Sequence, residues 1–248
     1  MSESNKRNFI VHGSILAIAG ILVRIIGMLY RIPVVNIIGS EGNGIYGAAF
    51  NIYNIMLVLS SYGLPMAVSK LVSARFTKKR YKSAAKVLRC SLMVAVCTGG
   101  IAALLVFFGA SFIENVIYGG GLPGLAVPLR ILAPTIFLVA ILGVIRGFFQ
   151  GQSTMIPTAV SQILEQIVNA IVSIAAGYGM MKAFASSPDV AAYGAAGSTL
   201  GTAMGALTAV LFMGFLYAVY TPTFNRLKRK DRHTENQSTG QICKIIIY

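Results

Sequence analysis

The sequence is poor in charged residues, above all in acidic ones. Only 11% of its 248 residues are charged, and Asp and Glu together number seven. A soluble domain usually has about a quarter of its residues charged. Hydrophobic residues make up 56% of the chain, and the mean hydropathy is +0.73. The shortage of charge therefore excludes an ordinary soluble domain and favours an integral membrane protein.

Residues that bind metals or perform catalysis are also scarce. The three cysteines and two histidines show no metal-ligand spacing, so we expect neither a metal nor a cofactor. The sequence has no HExxH motif, no phosphate-binding glycine loop followed by Lys and Ser or Thr, and no Ser–His–Asp set. The active site of a membrane enzyme would require clustered ionisable residues, and the acidic residues of this sequence are not clustered. These absences argue against an enzyme.

Long apolar stretches fill most of the chain. A bilayer core of about 30 Å needs about 20 apolar residues per helix. The sequence therefore predicts an all-α membrane protein with six transmembrane helices, whose ends are approximate. The predicted helices cover residues 9–32, 44–68, 84–112, 125–149, 155–181 and 193–220.

The basic residues indicate how the chain crosses the membrane. The net charge is +14, yet most of the 21 Lys and Arg residues lie in the connection after the second helix and in the segment after the sixth. Arg146 is assigned to the turn between the fourth and fifth helices, on the same side. Cytoplasmic loops carry an excess of Lys and Arg, so both termini are expected in the cytoplasm of a plasma-membrane protein. Attraction of anionic lipids to residues 75–82 is a less favoured alternative.

The fifth predicted helix carries a stripe of polar residues at helical spacing. Its members are Gln162, Glu165, Gln166, Asn169 and Ser173. An ionisable group at membrane depth is costly unless it faces a bundle interior or a wet cavity. One interpretation is a network of hydrogen bonds between helices. We favour the other, in which the stripe lines a cavity.

The first two helices supply a second set of polar residues. Arg24 and Arg31 share one face of the first helix, and Asn51 and Asn54 share one face of the second. The planar guanidinium of Arg suits phosphate recognition, so these residues predict a site for an anion such as a lipid pyrophosphate. Arg24 is also the favoured ion-pair partner of Glu165. The alternative for Arg31 is a position at the outer headgroup level.

Glycines repeat at regular intervals in two helices. Gly197, Gly201 and Gly205 recur every four residues in the sixth helix, and glycines at 13, 20 and 27 recur every seven in the first. Small residues let helix backbones approach each other closely in a membrane. Both series are therefore predicted to be packing faces.

Several motifs resemble the polysaccharide biosynthesis and stage V sporulation protein B family, a flippase-like branch of the multidrug and toxin extrusion (MATE) superfamily. The segment 146–171, RGFFQGQSTMIPTAVSQILEQIVNAI, carries the R-G-F-F-Q-G turn, the following Pro and the S-Q-x-x-E-Q helix of that family. The opening VRIIGMLYRIPVVNIIGSEGNGIYGAAFNIYNIML, residues 23–57, and LPMAVSKLVS, residues 64–73, are similar to the family as well.

The resemblance implies one lobe of a two-lobe transporter that flips lipid-linked oligosaccharides, including peptidoglycan precursors. Residues 1–225 would form the N-terminal six-helix lobe, and residues 226–248 a basic cytoplasmic tail that begins a seventh helix. Its partners would be the bilayer, the lipid-pyrophosphate-linked sugar and a missing C-terminal lobe, with no nucleic acid. A cation-coupled multidrug antiporter and an inactive fragment are the alternatives.

Overall fold

A computed structural model describes residues 3–231 and residues 240 and 242, with side chains from residue 13 onward. These residues form helices joined by turns, with no strand among them, as predicted. The helices are α1 (Glu3–Ser60), α2 (Leu64–Thr77), α3 (Tyr81–Phe112), α4 (Ala126–Gly151), α5 (Ile156–Ala183) and α6 (Val190–Lys230), with a π-helical turn, Ile113–Ile117, after α3.

The first two predicted helices are joined, so the described chain contains five long apolar helical stretches instead of six. One of them, Gly13–Thr77, runs for 65 residues. At 1.5 Å per residue it would be about 98 Å long if straight, several times the bilayer core. Its backbone bends at Gly39, whose φ of 70° and ψ of −176° are not helical. Tyr30 and Tyr46, on opposite sides of the bend, interact through their side chains. The stretch therefore folds back and supplies two of the six predicted crossings.

The second predicted helix, 44–68, is itself interrupted. α1 ends at Ser60 and α2 begins at Leu64, with Pro65 in its first turn. Proline fits the first turn of a helix, where its missing N–H leaves no intrahelical hydrogen bond unmade. α2 then packs against α4 through glycines. A Cβ on Gly147 would lie 2.5 Å from the carbonyl oxygen of Pro65, and one on Gly151 would lie 2.7 Å from that of Ser69.

The glycine series in α6 forms the predicted packing face. A Cβ on Gly205 would lie 2.6 Å from the carbonyl oxygen of Glu165, and Gly197 and Gly201 lie equally close to α5. The prediction for the first helix is wrong at two of its three glycines. Gly27 packs against the side chain of Gln166, but a Cβ on Gly13 or Gly20 would have no neighbour within 4 Å among the described atoms.

An acidic residue organises the turn between α3 and α4. The Glu114 carboxylate accepts hydrogen bonds from the backbone N–H of Gly124 at 3.0 Å and from that of Ala126 at 2.7 Å. Ala126 begins α4, so this carboxylate satisfies a backbone donor that the helix leaves free.

α6 continues about ten residues past its predicted end at 220, to Lys230. Phe224 is buried in this extension and stacks on Phe76 of α2, with ring centroids 6.1 Å apart. The basic residues at 226 and 228–230 therefore lie on a helix. The predicted start of a seventh helix falls outside the described residues, apart from residues 240 and 242.

Candidate functional site

An ion pair joins the two arms of the α4–α5 hairpin. The Nη2 atom of Arg146 lies 2.7 Å from Oε2 of Glu165. Nε of the same guanidinium donates to the Ser161 hydroxyl at 2.9 Å, and that hydroxyl donates to the carbonyl oxygen of Thr158 at 2.8 Å. The Arg146 and Glu165 side chains are 14% and 25% exposed, so the pair is largely shielded. The positive charge of Arg146 and the negative charge of Glu165 therefore neutralise each other.

This geometry corrects two predictions. The partner of Glu165 is Arg146 on the adjacent helix, and Arg24 is exposed on α1. Arg146 was assigned to an inner turn, but it lies in α4, which continues to Gly151. Since Arg146 lies near the end of the helix, its charge was assigned to the following loop. Because α5 follows after a short turn, Arg146 meets the part of α5 that carries Glu165.

Further along α5, the polar stripe forms a hydrogen-bonded network. Oδ1 of Asn169 accepts from the Ser173 hydroxyl at 2.9 Å and from the Thr202 hydroxyl at 3.4 Å. Ser173 also donates to the carbonyl oxygen of Ser198 on α6, at 2.8 Å. Nδ2 of Asn169 donates to the Tyr30 hydroxyl at 3.3 Å. Asn169 and Ser173 are buried, so this end of the stripe is an interhelical network and does not line an open cavity.

The middle of the stripe faces α1. Nε2 of Gln166 lies 3.2 Å from the position of a Cβ on Gly27. Tyr53, which is buried in α1, lies within electrostatic reach of Glu165. The stripe therefore contacts α1, through Gln166 at Gly27 and Asn169 at Tyr30. Gln162, Glu165 and Gln166 are partly exposed, unlike Asn169. They are therefore more accessible than the Asn169 end of the stripe.

The predicted residues of α1 are all on its surface. Arg24, Arg31, Asn51 and Asn54 are exposed, and neither arginine has an ion-pair partner among the described residues. Arg31 lies within electrostatic reach of Tyr46. The structure therefore brings the α5 stripe against α1 but does not bring the arginines to Glu165. It leaves positive charge on α1 and a neutralised polar stripe on α5.

Sequence reasoning missed several residues of this region. Arg146 and Ser161 belong to the motif 146–171, but their mutual contact was not inferred. Tyr30, Tyr53 and Thr202 had no signal of their own, because a single Tyr or Thr in an apolar helix is common. Within the described residues, no group of three His, Cys, Asp or Glu side chains is placed to hold a metal ion.

Comparisons with known proteins identify relatives of this chain. A family model described as polysaccharide biosynthesis protein matches residues 10–240. The chain is similar to three Bacillus subtilis proteins. It is 34% identical to lipid II flippase MurJ, over 68% of this chain and 32% of that protein. It is 30% identical to the membrane protein YabM, over 98% of this chain and 43% of that protein, and 30% identical to stage V sporulation protein B, over 84% of this chain and 39% of that protein. The chain thus spans less than half the length of each of these relatives.

A solved structure shows the same fold. A MOP superfamily transporter from Pyrococcus furiosus superimposes with a TM-score of 0.70 at 17% identity, over 94% of this chain and 49% of that one. The likeness places the described helices in the fold of about half of such a transporter. The five apolar helical stretches and the membrane relatives make this chain a multi-pass membrane protein.

Proposed function

Because this chain belongs to the polysaccharide biosynthesis protein family, we propose that it is one lobe of a flippase for lipid-linked oligosaccharides, with peptidoglycan precursors as the substrate class. Two of its relatives carry the names lipid II flippase and stage V sporulation protein B. A second lobe completes the transporter, since the chain covers about half of a fold-matched transporter. Transport then occurs as the two lobes rock around a shared site.

The observation that carries this proposal is the unpaired positive charge of α1. Arg24 and Arg31 are exposed and have no ion-pair partner in the described part of the chain. A permanent cation at membrane depth is costly unless water or an anion is near. A pyrophosphate offers oxygens that a guanidinium contacts in parallel hydrogen bonds. The two arginines would hold the pyrophosphate, while the lipid tail stays in the bilayer.

The α5 stripe has a different role in the proposed site. Glu165 is neutralised by Arg146, so the stripe adds no net negative charge to repel the substrate. Gln162 and Gln166 are partly exposed and carry amide donors and acceptors that suit sugar hydroxyls. Asn51 and Asn54 would supply the same groups from α1. Asn169 would hold α5 against α1 beside the site through its hydrogen bond to the Tyr30 hydroxyl.

The ion pair also weighs against a cation-coupled multidrug antiporter. Such a transporter needs a carboxylate that can bind a cation, and Glu165 already has Arg146 at 2.7 Å. Export of cationic dyes from cells that produce this chain joined to the C-terminal half of YabM tests this alternative directly. The flippase proposal expects no export above the level of cells that lack it.

Flipping is tested by joining this chain to the C-terminal half of YabM and reconstituting the product into vesicles. Loss of a fluorescent lipid-linked sugar from quencher-accessible positions measures transport. Arg24→Ala should abolish flipping while the protein still accumulates. Arg24→Lys should restore little, because an ammonium does not reproduce a bidentate contact. The control is Arg130→Ala, since that exposed arginine bonds Ser111 outside the site. Equal activity in Arg24→Ala and Arg130→Ala would contradict the proposal.

A further inference from the structure

A basic groove lies where the start of α3 meets the end of α6, on helices other than the α1 and α5 of the proposed transport site. It has a volume of about 560 Å³ and is lined by Lys82, Asn225, Lys228 and Arg229. Three of these four residues are cationic, and the fourth carries an amide. None of the lining residues is acidic, so the groove favours an anion.

Aromatic packing fixes the α6 side of this groove. Phe224 is buried, stacks on Phe76 and meets the edge of Phe148 at a centroid distance of 5.4 Å. The ammonium of Lys228 lies 5.2 Å from the centre of the Phe224 ring, a cation–π distance. These contacts hold the last turns of α6 against the rest of the lobe. Lys228 is therefore held in place beside the groove, whereas a basic tail without such contacts would not be.

A hydrogen bond fixes the other side. The buried carboxylate of Asp231, just past the end of α6, accepts from the backbone N–H of Lys82 at 2.9 Å. This bond ties the end of α6 to the first turn of α3. The carboxylate offsets the positive end of the α3 dipole, so the positive potential of the groove comes from its three cationic side chains.

An apolar stripe on α6 leads toward the groove. Leu211, Phe215 and Val219 are four residues apart and are 64%, 65% and 61% exposed. Eighteen residues make five helical turns, so Arg229 returns to the side of α6 that carries Leu211. A molecule that lies along this side would meet apolar side chains first and cations at the end. That is the order of a phospholipid from its acyl chain to its headgroup.

We propose that this groove binds the phosphate-bearing headgroup of an anionic phospholipid, with the acyl chain along Leu211, Phe215 and Val219. The groove lies at the end of the lobe where basic residues are concentrated, the side expected to face the cytoplasm. Basic residues just outside a membrane span attract anionic lipids. Here the groove adds fixed walls to that attraction. The site is separate from Arg24 and Arg31, so it does not depend on the proposed substrate.

Native mass spectrometry of the chain in mixed micelles of phosphatidylglycerol and phosphatidylcholine tests this proposal. The ratio of the first bound phosphatidylglycerol to the first bound phosphatidylcholine measures selectivity. The unmodified protein should favour phosphatidylglycerol. Each basic residue near a membrane surface contributes about fivefold to the binding of anionic lipid. The double variant Lys82→Gln, Arg229→Gln should therefore lower this preference by at least about fivefold.

The matched control removes the same charge outside the groove. Lys78 and Arg226 are exposed and do not line it, so the double variant Lys78→Gln, Arg226→Gln should lose much less of the preference than the groove variant. An equal loss in both double variants would show general surface attraction and overturn the site. The charge-conserving variant Lys82→Arg, Arg229→Lys should keep the preference. If it loses the preference as fully as the neutral variant, the proposal fails.

Two measurements on the unmodified protein distinguish the source of the phosphate. Inorganic phosphate at millimolar concentration should leave the bound phosphatidylglycerol in place, because it lacks the acyl chain that the apolar stripe holds. If inorganic phosphate displaces the lipid, the groove is a site for soluble phosphates. If the unmodified protein shows no preference for phosphatidylglycerol, the groove is no lipid site.

Discussion

Arg146 and Glu165 hold the two arms of the α4–α5 hairpin together through an ion pair of 2.7 Å. They are the two charged residues of the segment 146–171, on which the family resemblance chiefly rests. Ser161, from the same segment, accepts a hydrogen bond from the same guanidinium. Three separated positions of the motif therefore meet in space. The motif closes a hairpin, and the exposed Arg24 and Arg31 lie elsewhere, on α1.

The ion pair should contribute to stability. Glu165→Gln leaves the guanidinium of Arg146 without its counter-charge in a largely shielded place. We expect a loss of about 2 kcal/mol, less than for a fully buried pair because both side chains keep some exposure. Thermal denaturation of the detergent-solubilised protein, followed by size-exclusion chromatography, measures the loss.

A double-mutant cycle identifies the partner of Glu165. Arg146→Gln combined with Glu165→Gln should be milder than the sum of the two single changes, with a coupling of about 1 kcal/mol or more. The matched cycle uses Arg24→Gln with Glu165→Gln, and we expect it to be additive. Coupling in the Arg24 cycle and none in the Arg146 cycle would contradict the ion pair.

The α6 glycines should tolerate no large side chain. Gly205→Leu would force a Cβ to within 2.6 Å of the carbonyl oxygen of Glu165, so α5 and α6 must separate. We expect a loss of about 3 kcal/mol, at the upper end for overpacking. Gly214→Leu is the control on the same helix, because a Cβ there has no neighbour within 4 Å. Similar melting temperatures for the two variants would refute close packing at Gly205.

Asp231 should act as a cap for α3. Removing its carboxylate by Asp231→Ala leaves the Lys82 N–H without its acceptor, and N-terminal caps contribute about 1 kcal/mol. Asp189→Ala is the comparison, since Asp189 precedes α6 but makes no side-chain capping bond. A melting temperature lowered only by Asp231→Ala is expected. Equal effects of the two changes would argue against the cap.

The orientation of the chain is a separate prediction. With both termini in the cytoplasm, a cysteine at Ser187 should react with an impermeant reagent from outside, and one at Lys79 only after permeabilisation. The native cysteines are first replaced by alanine. The reverse labelling pattern would invert the topology. Moving Arg146 from the inner loops into a helix leaves the charge bias intact, because the large basic segments remain on one side.

The sequence predicted the all-α membrane fold because apolar length is an unambiguous signal. It also predicted that the α6 glycines form a packing face, because glycines four residues apart have few other uses in a membrane helix. It did not identify α5 as the partner. It did not predict that the first two helices join at Gly39. A bend between two helical segments depends on the backbone conformation of one residue. Glycine permits that conformation, but the presence of a glycine does not show that the chain adopts it.

The candidate site was predicted less completely. The α5 stripe faces α1 because five polar groups on one helix face exclude a lipid-facing position. The predicted partner of Glu165 was wrong, because the spacing of residues within one helix does not show which neighbouring helix places a cation beside Glu165. Contacts such as Asn169 with Tyr30 depend on tertiary packing, and no sequence pattern specifies them.

In the proposed flippase, Arg24 and Arg31 bind the pyrophosphate of a lipid-linked sugar. Equilibrium binding to the chain in nanodiscs tests it most directly, using an undecaprenyl-pyrophosphate-linked sugar and the same lipid-linked sugar without the pyrophosphate. We expect the pyrophosphate form to bind at least about tenfold more tightly, and Arg24→Ala to remove most of that difference, as for loss of a charge-assisted hydrogen bond. Equal affinity for the two lipids, or an unchanged difference in Arg24→Ala, would contradict the account.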